Sequence, residues 1–470
     1  MYCGYVTTLK NVRPHSNADR MKLADCFGNT VCVGLDAAEG EIVIYFPTDG
    51  QLSVEFCAQH DLVRRKDENG NPAGGYLDPD KRNIKAIKLR GEKSDGLVMP
   101  LSCLAYTGIN LDELNIGDQI TTVNGHEICQ KYIPRSSTRH GHYSSGNKTR
   151  KHKAPTAPLF AEHADTEQLA YNLGAFKPGD EIEITLKMHG TSQRTGYLPT
   201  LQGYKRTLWD KITRKEGTPI YDWGDVSGTR RVVLDSYDGG FYGSNAFREQ
   251  HAKTFEGKLM KGETVYYEVV GFTDTGAPIM STANNKKMND KEFIKQYGEE
   301  TIFSYGCEPN PKSLMIADPN ADEVIGIKIP LKPQSDVYVY RMTMTNEDGF
   351  VVEYTPDFMR YRCEQMGVKT VPVLWKGVIP TSNIPEGVPH CPTGNEPEFS
   401  AGDWVKEKAE QLYDGPDPIG KTHVREGVVV RIINRPKFCA YKHKNFAFKV
   451  LEGLIKDTAE APDMEEAQDA

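Results

Sequence analysis

A lysine followed by a glycine turn is the residue of this sequence best placed for covalent chemistry. The tetrapeptide Lys187-Met188-His189-Gly190 follows the segment 181–186, in which apolar and polar side chains alternate as in a half-buried strand. A lysine held at a strand end by a tight turn suits nucleophilic attack on a phosphorus or a carbonyl carbon. Most lysines are solvated surface charges, so the tetrapeptide alone leaves both interpretations open.

Charged residues further along the chain lie in segments that otherwise read as apolar strands. Glu268 lies within the run 265–272, and Glu426 precedes a run of valines. A buried carboxylate without a partner is costly, so Glu268 requires a ligand or an arginine. Lys442 and Lys444 are two positions apart on one predicted strand and therefore share a face. Two such cations repel each other without a nearby anion, which predicts a polyphosphate site with a metal ion at Glu426.

The segments that must position these residues differ in composition. Residues 1 to about 130 read as short strands between Gly, Asp and Asn turns, which predicts a small oligonucleotide-binding (OB) barrel. Residues 131–155 are rich in Lys, Arg and His and contain no acidic residue, which predicts a flexible basic linker. The linker is either a phosphate-binding segment or a soluble tether. Residues 156–455 read as mixed α and β, and residues 456–470 as an acidic disordered tail.

The predicted fold class is α+β, an N-terminal OB-type β-barrel followed by a mixed α/β domain with antiparallel sheets. Two helices of the second part are marked by capping and apolar spacing. Thr355 and Pro356 open the first, and Gly367 closes it. Val405 and Ala409 belong to the second, which is expected to end near residue 415.

Composition excludes several classes of protein. With 57 basic and 65 acidic residues among 470, the chain is not a histone-like polycation, although a local basic groove is allowed. No run is apolar and long enough to span a membrane, and the start lacks the pattern of a secretory signal. The 10 cysteines occur singly, which favours reduced thiols over a zinc site. We expect a cytoplasmic monomer with no membrane partner.

Taken in order, these segments resemble the covalent lysine nucleotidyltransferases, the superfamily of nucleic-acid ligases and messenger-RNA capping enzymes. Lys187-x-His189-Gly190 resembles the first motif of that superfamily, and the histidine is typical of its second RNA-ligase family. The resemblance implies an adenylyltransferase domain over 156–455, with Lys187, His189 and Gly190 in the nucleotide site. It also implies these roles: Arg230 contacts the nucleotide, Glu268 binds the ribose, Tyr340 stacks on adenine, Glu426 is linked to the metal, and Lys442 and Lys444 hold the α-phosphate. The spacing does not separate Arg230 from Arg231, and the resemblance favours Arg230.

An OB module in front of the catalytic domain is similar to the fifth RNA-ligase family, typified by a protist RNA ligase. The resemblance implies an ATP-dependent RNA ligase that joins 3′-OH and 5′-phosphate RNA ends through lysyl-AMP and RNA-adenylate. ATP and Mg²⁺ or Mn²⁺ are the implied cofactors, and RNA is the implied partner. Three alternatives stay open: a GTP-dependent capping guanylyltransferase, a DNA ligase, and a nucleic-acid-binding protein with an inactive transferase domain.

The sequence departs from the family pattern at two places. Leu186 occupies the position before the lysine, where the family often has a glutamate near the adenine. The group that reads the adenine is therefore open. The stretch between Gly271 and Pro333 is longer than in the family, which predicts an additional lobe that contacts the substrate.

Overall fold

The structure, a computed structural model, shows two compact units. It describes residues 2–66, 72–132, 154–163, 166–213, 217–234, 237, 245–271, 273, 279, 314–317, 326–329, 335–382, 399–419, 425–446 and 448–449. One unit comprises Met1–Arg135 with Phe446–Glu460, and the other comprises Ser136–Asn445 with Ala461–Ala470. The predicted acidic tail and most of the predicted linker and of the 271–333 lobe lie outside the described residues.

The first unit consists mainly of short strands. They are β1 (Gly4–Thr8), β2 (Lys10–Pro14), β3 (Lys22–Cys26), β4 (Asn29–Val33), β5 (Ile42–Phe46), β6 (Gly50–Leu52), β7 (Arg64–Lys66), β8 (Pro72–Gly74), β9 (Ala86–Leu89), β10 (Glu92–Asp95), β11 (Leu97–Pro100), β12 (Gln119–Ile120), β13 (Thr122–Val123), β14 (His126–Glu127) and β15 (Cys129–Lys131). The α-helix α1 (Val54–Gln59) follows β6, and Ser53 caps it by accepting a hydrogen bond from the Phe56 amide.

Apolar side chains on one face of the main sheet form the core of the first unit. The sheet has the strand order β11-β5-β1-β12, and β2, β3 and β4 form a separate antiparallel sheet. Val6, Ile44 and Phe46 are fully buried together with Phe56 of α1. Hydrogen-bonded ladders between the described strands of this unit do not close into a barrel. The OB-type barrel therefore stays a prediction.

The second unit contains longer strands and more helix. Its strands are β16 (Glu167–Gln168), β17 (Glu181–Leu186), β18 (Thr191–Lys205), β19 (Thr218–Gly228), β20 (Glu263–Gly271), β21 (Leu314–Ala317), β22 (Gly326–Ile329), β23 (Ser335–Thr345), β24 (Val351–Glu353), β25 (Lys369–Thr370), β26 (Val373–Val378), β27 (Gly427–Ile432) and β28 (Ala440–Lys444). Its α-helices are α2 (Leu208–Thr213), α3 (Ala246–Lys253), α4 (Pro356–Met366) and α5 (Ala401–Glu410).

Two sheets organise the second unit. One has the order β19-β18-β20-β23-β24, with β25 added in parallel to β23, and the other has the order β16-β28-β27-β17-β26. All their ladders are antiparallel except β23–β25 and β16–β28. Helix α4 contributes Met359 and Cys363 to the core of the first sheet, and α5 contributes Val405 to that of the second. The predicted mixed α/β class with mostly antiparallel sheets is confirmed.

The helix predicted from capping signals has the expected ends. Thr355 accepts a hydrogen bond from the Phe358 amide, Pro356 is the first helical residue, and Gly367 ends α4 in the left-handed conformation at φ 70°. Helix α5 ends at Glu410, earlier than the expected end near residue 415. The Leu412 amide bonds to the Ala409 carbonyl in a tight turn, so the helical pattern does not continue.

The cysteines of the described chain are all free thiols. Burial raises the pKa of both Cys103 and Cys363 to about 12, so these thiols stay protonated at neutral pH. Among the described residues, no helix is long and apolar enough to cross a membrane.

Candidate active site

The ends of two paired strands bring Lys187 to Glu426. Strand β17 pairs antiparallel with β27, with Leu186 opposite Val428, and the Lys187 amide donates to the Gly427 carbonyl at 3.0 Å. The Lys187 Nζ consequently lies 2.8 Å from Oε1 of Glu426. The side chains are 11% and 3% exposed, so this ion pair is almost entirely withdrawn from water.

Strand β28 adds the two predicted lysines to the same region. It pairs antiparallel with β27, with Lys444 opposite Gly427. The Lys444 Nζ lies 3.4 Å from Oε1 of Glu426, and Lys442 lines the cavity that also contains Lys187. The intervening His443 stacks on Tyr413 instead. The alternation of side chains along a strand thus places both lysines on one face.

Glu426 is ionised because three nitrogen-bearing side chains surround it. Burial on its own would raise the pKa of Glu426, but the charges of Lys187 and Lys444 outweigh burial, and His189 adds a hydrogen bond. The pKa of this carboxyl therefore lies far below its ordinary value of 4.5. The Nδ1 of His189 lies 3.3 Å from Oε2, while both lysines contact Oε1. Both lysines thus contact one carboxylate oxygen, and the His189 ring is the neighbour of the other.

Glycines in two of the motifs allow the backbone to pass close to its neighbours. A Cβ on Gly190 would lie 2.4 Å from the Val269 carbonyl oxygen, and real Cβ atoms do not approach that closely. Gly427 adopts φ 150°, and a Cβ there would lie 2.2 Å from the His443 carbonyl oxygen. Only glycine fits at these two positions, which lie directly beside His189 and Glu426.

The opposite side of the site is built on β18, β20 and β23. Ser192 lies opposite Glu268 in the ladder, and its hydroxyl is 2.9 Å from the Tyr340 hydroxyl. The residues before and after Tyr340 pair with consecutive residues of β20, so Tyr340 is the extra residue of a β-bulge. Burial, followed by the charge of Glu268, raises the pKa of Tyr340. The phenol is therefore protonated at neutral pH.

One cavity unites most of the residues that the sequence singled out. Its lining includes Lys187, Arg230, Glu268, Tyr340 and Lys442. The apolar part of the lining consists of Leu186, Met188, Met359, Val371, Val429, Phe438 and Ala440. Arg230 lines the cavity, whereas Arg231 does not. His189, Gly190, Glu426 and Lys444 are not lining residues.

Several charged residues of this site were not found from the sequence. Glu183 lines the cavity and accepts two hydrogen bonds from Arg360, at 3.0 and 2.8 Å. In the sequence it looks like the solvent-facing residue of an alternating strand, and no signal marked its partner. Arg431 also lines the cavity, and burial lowers its pKa. Arg248 is fully buried and donates to the Ser192 carbonyl.

Solved structures of an RNA ligase share the fold that these sheets define. A point mutant of Naegleria gruberi RNA ligase with AMP and Mn is similar at a TM-score of 0.53 and 15% identity, over 95% of this chain and 98% of that chain. Another mutant with ATP and Mn is similar at 0.52 and 15%, over 96% and 98%. The same ligase with PPi is similar at 0.51 and 14%, over 95% and 98%.

The likeness extends over nearly the full length of both chains. The protein therefore shares the fold of that protist RNA ligase, which confirms the resemblance drawn from the motifs at the level of the fold. No protein-family model matches the chain, and no curated protein matches it in sequence.

Proposed function

We propose that this protein is an ATP-dependent RNA ligase that joins 3′-OH and 5′-phosphate RNA ends through lysyl-AMP and RNA-adenylate. The observation that carries the proposal is the buried contact between Lys187 and Glu426 beside a cavity lined by Arg230, Glu268 and Lys442. A lysine next to a carboxylate and to anion-binding cations is what covalent nucleotidyl transfer requires. The shared fold with an RNA ligase solved with AMP, ATP and Mn supports the same function.

The nucleotide would bind with its base against the apolar lining and its phosphates toward the cations. Leu186 and the Tyr340 ring offer flat apolar contact to a purine, and Glu268 lies on the neighbouring strand, where it would accept hydrogen bonds from the ribose. Arg230 and Lys442 would hold the α-phosphate. The apolar Leu186 leaves the edge of the base to backbone groups or to another side chain.

A divalent metal ion in this site would be bound mainly by the substrate phosphates and not by a full set of protein ligands. Among the described residues, no group of three or more His, Cys, Asp or Glu side chains could hold a metal ion. Glu426 is an ionised carboxylate beside the lysine, and Mg²⁺ commonly binds through one or two carboxylates plus phosphates and water. Bound Mg²⁺ or Mn²⁺ would neutralise charge on the pyrophosphate leaving group.

The reaction would proceed by three displacements at phosphorus. The neutral Nζ of Lys187 attacks the α-phosphorus of ATP, forming a P–N bond as the bond to pyrophosphate breaks. An oxygen of the RNA 5′-phosphate then attacks that phosphorus and breaks the P–N bond, which yields RNA-adenylate. The 3′-hydroxyl finally attacks the 5′-phosphorus of the RNA, and AMP leaves as the new phosphodiester forms. Arg230, Lys442 and Lys444 stabilise the negative charge throughout.

The first unit would act in the last two displacements as an OB-type module that binds RNA. Its small antiparallel sheets and the basic residues Lys85, Lys88 and Arg90 support this assignment. The basic residues of 131–155 would add salt-dependent contacts to phosphates.

Covalent labelling tests the proposal directly. Incubation with α-labelled ATP and a divalent metal, followed by a denaturing gel, should give a labelled band for the natural protein and none for Lys187→Ala. Lys369→Ala is the matched control, because Lys369 is exposed on the same unit and pairs with Asp336 outside the cavity. This control should label like the natural protein.

The same gel separates the alternatives. Labelling by GTP in place of ATP would identify a capping guanylyltransferase, and the absence of any labelled band would indicate an inactive transferase domain. Retained labelling of Lys187→Ala would disprove the role of this lysine. Sealing of nicked DNA in preference to RNA would identify a DNA ligase.

A further inference from the structure

A second cavity lies within the first unit, where no nucleotide chemistry has been assigned. Its volume is about 610 Å³, within the range of about 300–1,000 Å³ that is typical of sites for small ligands. Its lining is mostly apolar and includes Ile84, Ile87, Leu89 and Met99. All of these residues belong to Met1–Arg135, so the cavity is a property of this unit.

The strand that carries the basic residues presents one of its faces to the cavity. Lys85, Ile87 and Leu89 line it, whereas Ala86 and Lys88 do not, as expected for side chains that alternate along β9. Lys85 is half-buried, and burial, reinforced by the charge of Lys81, lowers its pKa to about 8. An anion beside this poorly hydrated ammonium would stabilise its charge.

A buried amide oxygen of one lining residue suggests what kind of ligand fits. Asn83 lines the cavity and is 4% exposed, and its Oδ1 accepts no hydrogen bond within the described chain. A buried acceptor without a partner is destabilising, so a ligand that donates an N–H to this oxygen would gain affinity. An apolar lining with one amide acceptor suits a nucleobase with an amino or imino N–H.

The lining of the cavity also includes a charged and an aromatic side chain that a nucleotide could use. Arg64 and Tyr76 both line it, and Tyr76 offers an aromatic ring on which a base could stack. Arg64 is exposed and pairs with Asp78 at 3.7 Å, and the other N–H groups of its guanidinium could bind a phosphate. Cations and an amide acceptor in one lining together match a base attached to a phosphate backbone.

We propose that this cavity receives one unstacked base of the RNA strand, with its N–H on Asn83 Oδ1 and the adjoining phosphate on Lys85 and Arg64. This site rests on the proposed RNA-ligase function and would hold the RNA strand by one of its bases. Binding would therefore depend on the presence of bases, because each RNA base carries an amino or imino N–H that can donate to the amide oxygen.

Binding of short RNA to the full-length protein, without ATP, tests the site. Fluorescence anisotropy would be measured with labelled octamers of each of the four ribonucleotides and with an abasic ribose-phosphate octamer. Ile87→Trp fills the cavity and should weaken binding of the base-bearing octamers at least tenfold, with little change for the abasic one. Asn83→Leu removes the acceptor and should weaken the preferred octamer about tenfold.

Charge is tested by a matched pair of lysines. Lys85→Ala should weaken binding of the preferred octamer, and Lys85→Arg should restore it. Lys88→Ala removes the same charge from the other face of the strand and should have a clearly smaller effect. Equal losses for Lys85→Ala and Lys88→Ala would assign the binding to overall charge and would contradict a specific site.

Two further results would overturn the site. The first is a folded Ile87→Trp variant that binds every base-bearing octamer as tightly as the natural protein does. Should Ile87→Trp not fold, an octamer with one 4-thiouridine would be photocrosslinked to the natural protein. Crosslinks at Tyr76 or Met99 are expected, and crosslinks only in the second unit would exclude the cavity.

The test of the RNA-binding cavity and the test of the proposed ligase function can fail independently of each other. Labelling by ATP involves no RNA, so a folded Ile87→Trp variant should label as the natural protein does. If the natural protein fails to label, the ligase proposal fails, and the anisotropy measurements still report whether the cavity binds a base.

Discussion

At the scale of single residues, Glu426 is the carboxylate that compensates the positive charges of the site. Its carboxylate contacts Lys187 and Lys444 through one oxygen and His189 through the other. A carboxylate at 2.8 Å favours the charged form of the lysine, so in the proposed mechanism the amine would become a nucleophile only when Glu426 engaged another cation. In that mechanism Glu426 would stabilise the resting site and would restrain Lys187 until the substrate and a metal ion were bound.

Replacement of Glu426 by glutamine should destabilise the second unit, most strongly near neutral pH. Removing one partner of a buried ion pair costs roughly 3–5 kcal/mol, because the remaining charges lose their compensation. The folded-state pKa of Glu426 is depressed, so its stabilising effect is fully present above its unfolded pKa and is lost as the pH falls toward the folded value. The free energies of unfolding of Glu426→Gln and of the natural protein, measured in urea, should therefore differ by a constant amount from pH 5 to 8. The difference should shrink below about pH 4.

The exposed Glu364 of helix α4 provides the control for this experiment. Glu364→Gln should unfold like the natural protein at every pH. A stability difference for Glu426→Gln that grew on acidification would contradict an ionised, paired Glu426.

At the scale of elements, the residues of the candidate site are positioned by strands whose backbones approach closely at two glycines. The turn between β17 and β18 runs against β20, and β27 runs against β28, with Gly190 and Gly427 at the closest points. These contacts involve backbone oxygens, which cannot be displaced without breaking the ladders.

Gly190→Ala should reduce the rate of lysyl-AMP formation about a hundredfold, since displacement of a reacting group by about 1 Å has an effect of that size. The added Cβ would lie 2.4 Å from the Val269 carbonyl oxygen, and the turn that carries Lys187 must shift. Rates of labelling by α-labelled ATP measure the effect. Gly174→Ala is the control, because a Cβ there meets no atom within 4 Å, and it should label at the natural rate. Natural activity of Gly190→Ala would show that the close approach is not required.

A buried ion pair connects helix α4 to strand β20, which carries Glu268. Arg362 donates from Nε and a terminal nitrogen to the two oxygens of Glu263, at 2.9 and 2.8 Å, and Glu263 is completely buried. The hydroxyl of Tyr354 also donates to this carboxylate at 2.9 Å. The helix is therefore held in a fixed position on the sheet that forms one side of the site.

Arg362→Met should lower the free energy of unfolding by roughly 3–5 kcal/mol, because it leaves the Glu263 carboxylate buried without its cation. The double variant with Glu263→Gln should lose less than the sum of the single losses, since neither charge is then isolated. Chemical denaturation of the single and double variants measures the coupling. Additive losses would mean that the pair contributes no interaction energy.

At the scale of the whole molecule, the chain contributes to the first unit twice. After β28, which carries Lys442 and Lys444, the segment beginning at Phe446 belongs to the first unit. Within that unit Phe448 is 1% exposed, and Lys449 pairs with Asp95 at 2.6 Å. The boundary of the adenylyltransferase domain at residue 455 stays a prediction.

Removal of residues 1–150 should separate the formation of lysyl-AMP from the sealing of RNA ends. The second unit retains the cavity with Lys187, so the shortened protein should still form lysyl-AMP, whereas sealing of RNA ends should fall at least tenfold at low RNA concentration. A second shortened protein, which also lacks residues 446–470, provides the control. This further removal eliminates apolar side chains that would lose their packing partners once residues 1–150 are absent. Undiminished sealing by either shortened protein would show that the first unit does not hold RNA.

The features found correctly from the sequence follow from local rules. The cap at Thr355 and the closing Gly367 determine the ends of α4, because hydrogen bonds within one turn decide them. The predicted strand 181–186 is observed with these bounds, and strand alternation accounts for the shared face of Lys442 and Lys444. The order of the motifs along the chain was sufficient to indicate the fold.

Only the tertiary structure decided which of these residues touch one another. The contact of Lys187 with Glu426 depends on the register of β17 against β27, and the orientation of Tyr340 depends on a bulge in a ladder. Glu183 and Arg360, which are 177 positions apart in the chain, meet through the packing of α4 on a sheet. Periodicity reports which face of an element a side chain occupies. The partner across that face is set by long-range register and packing, which no local pattern contains.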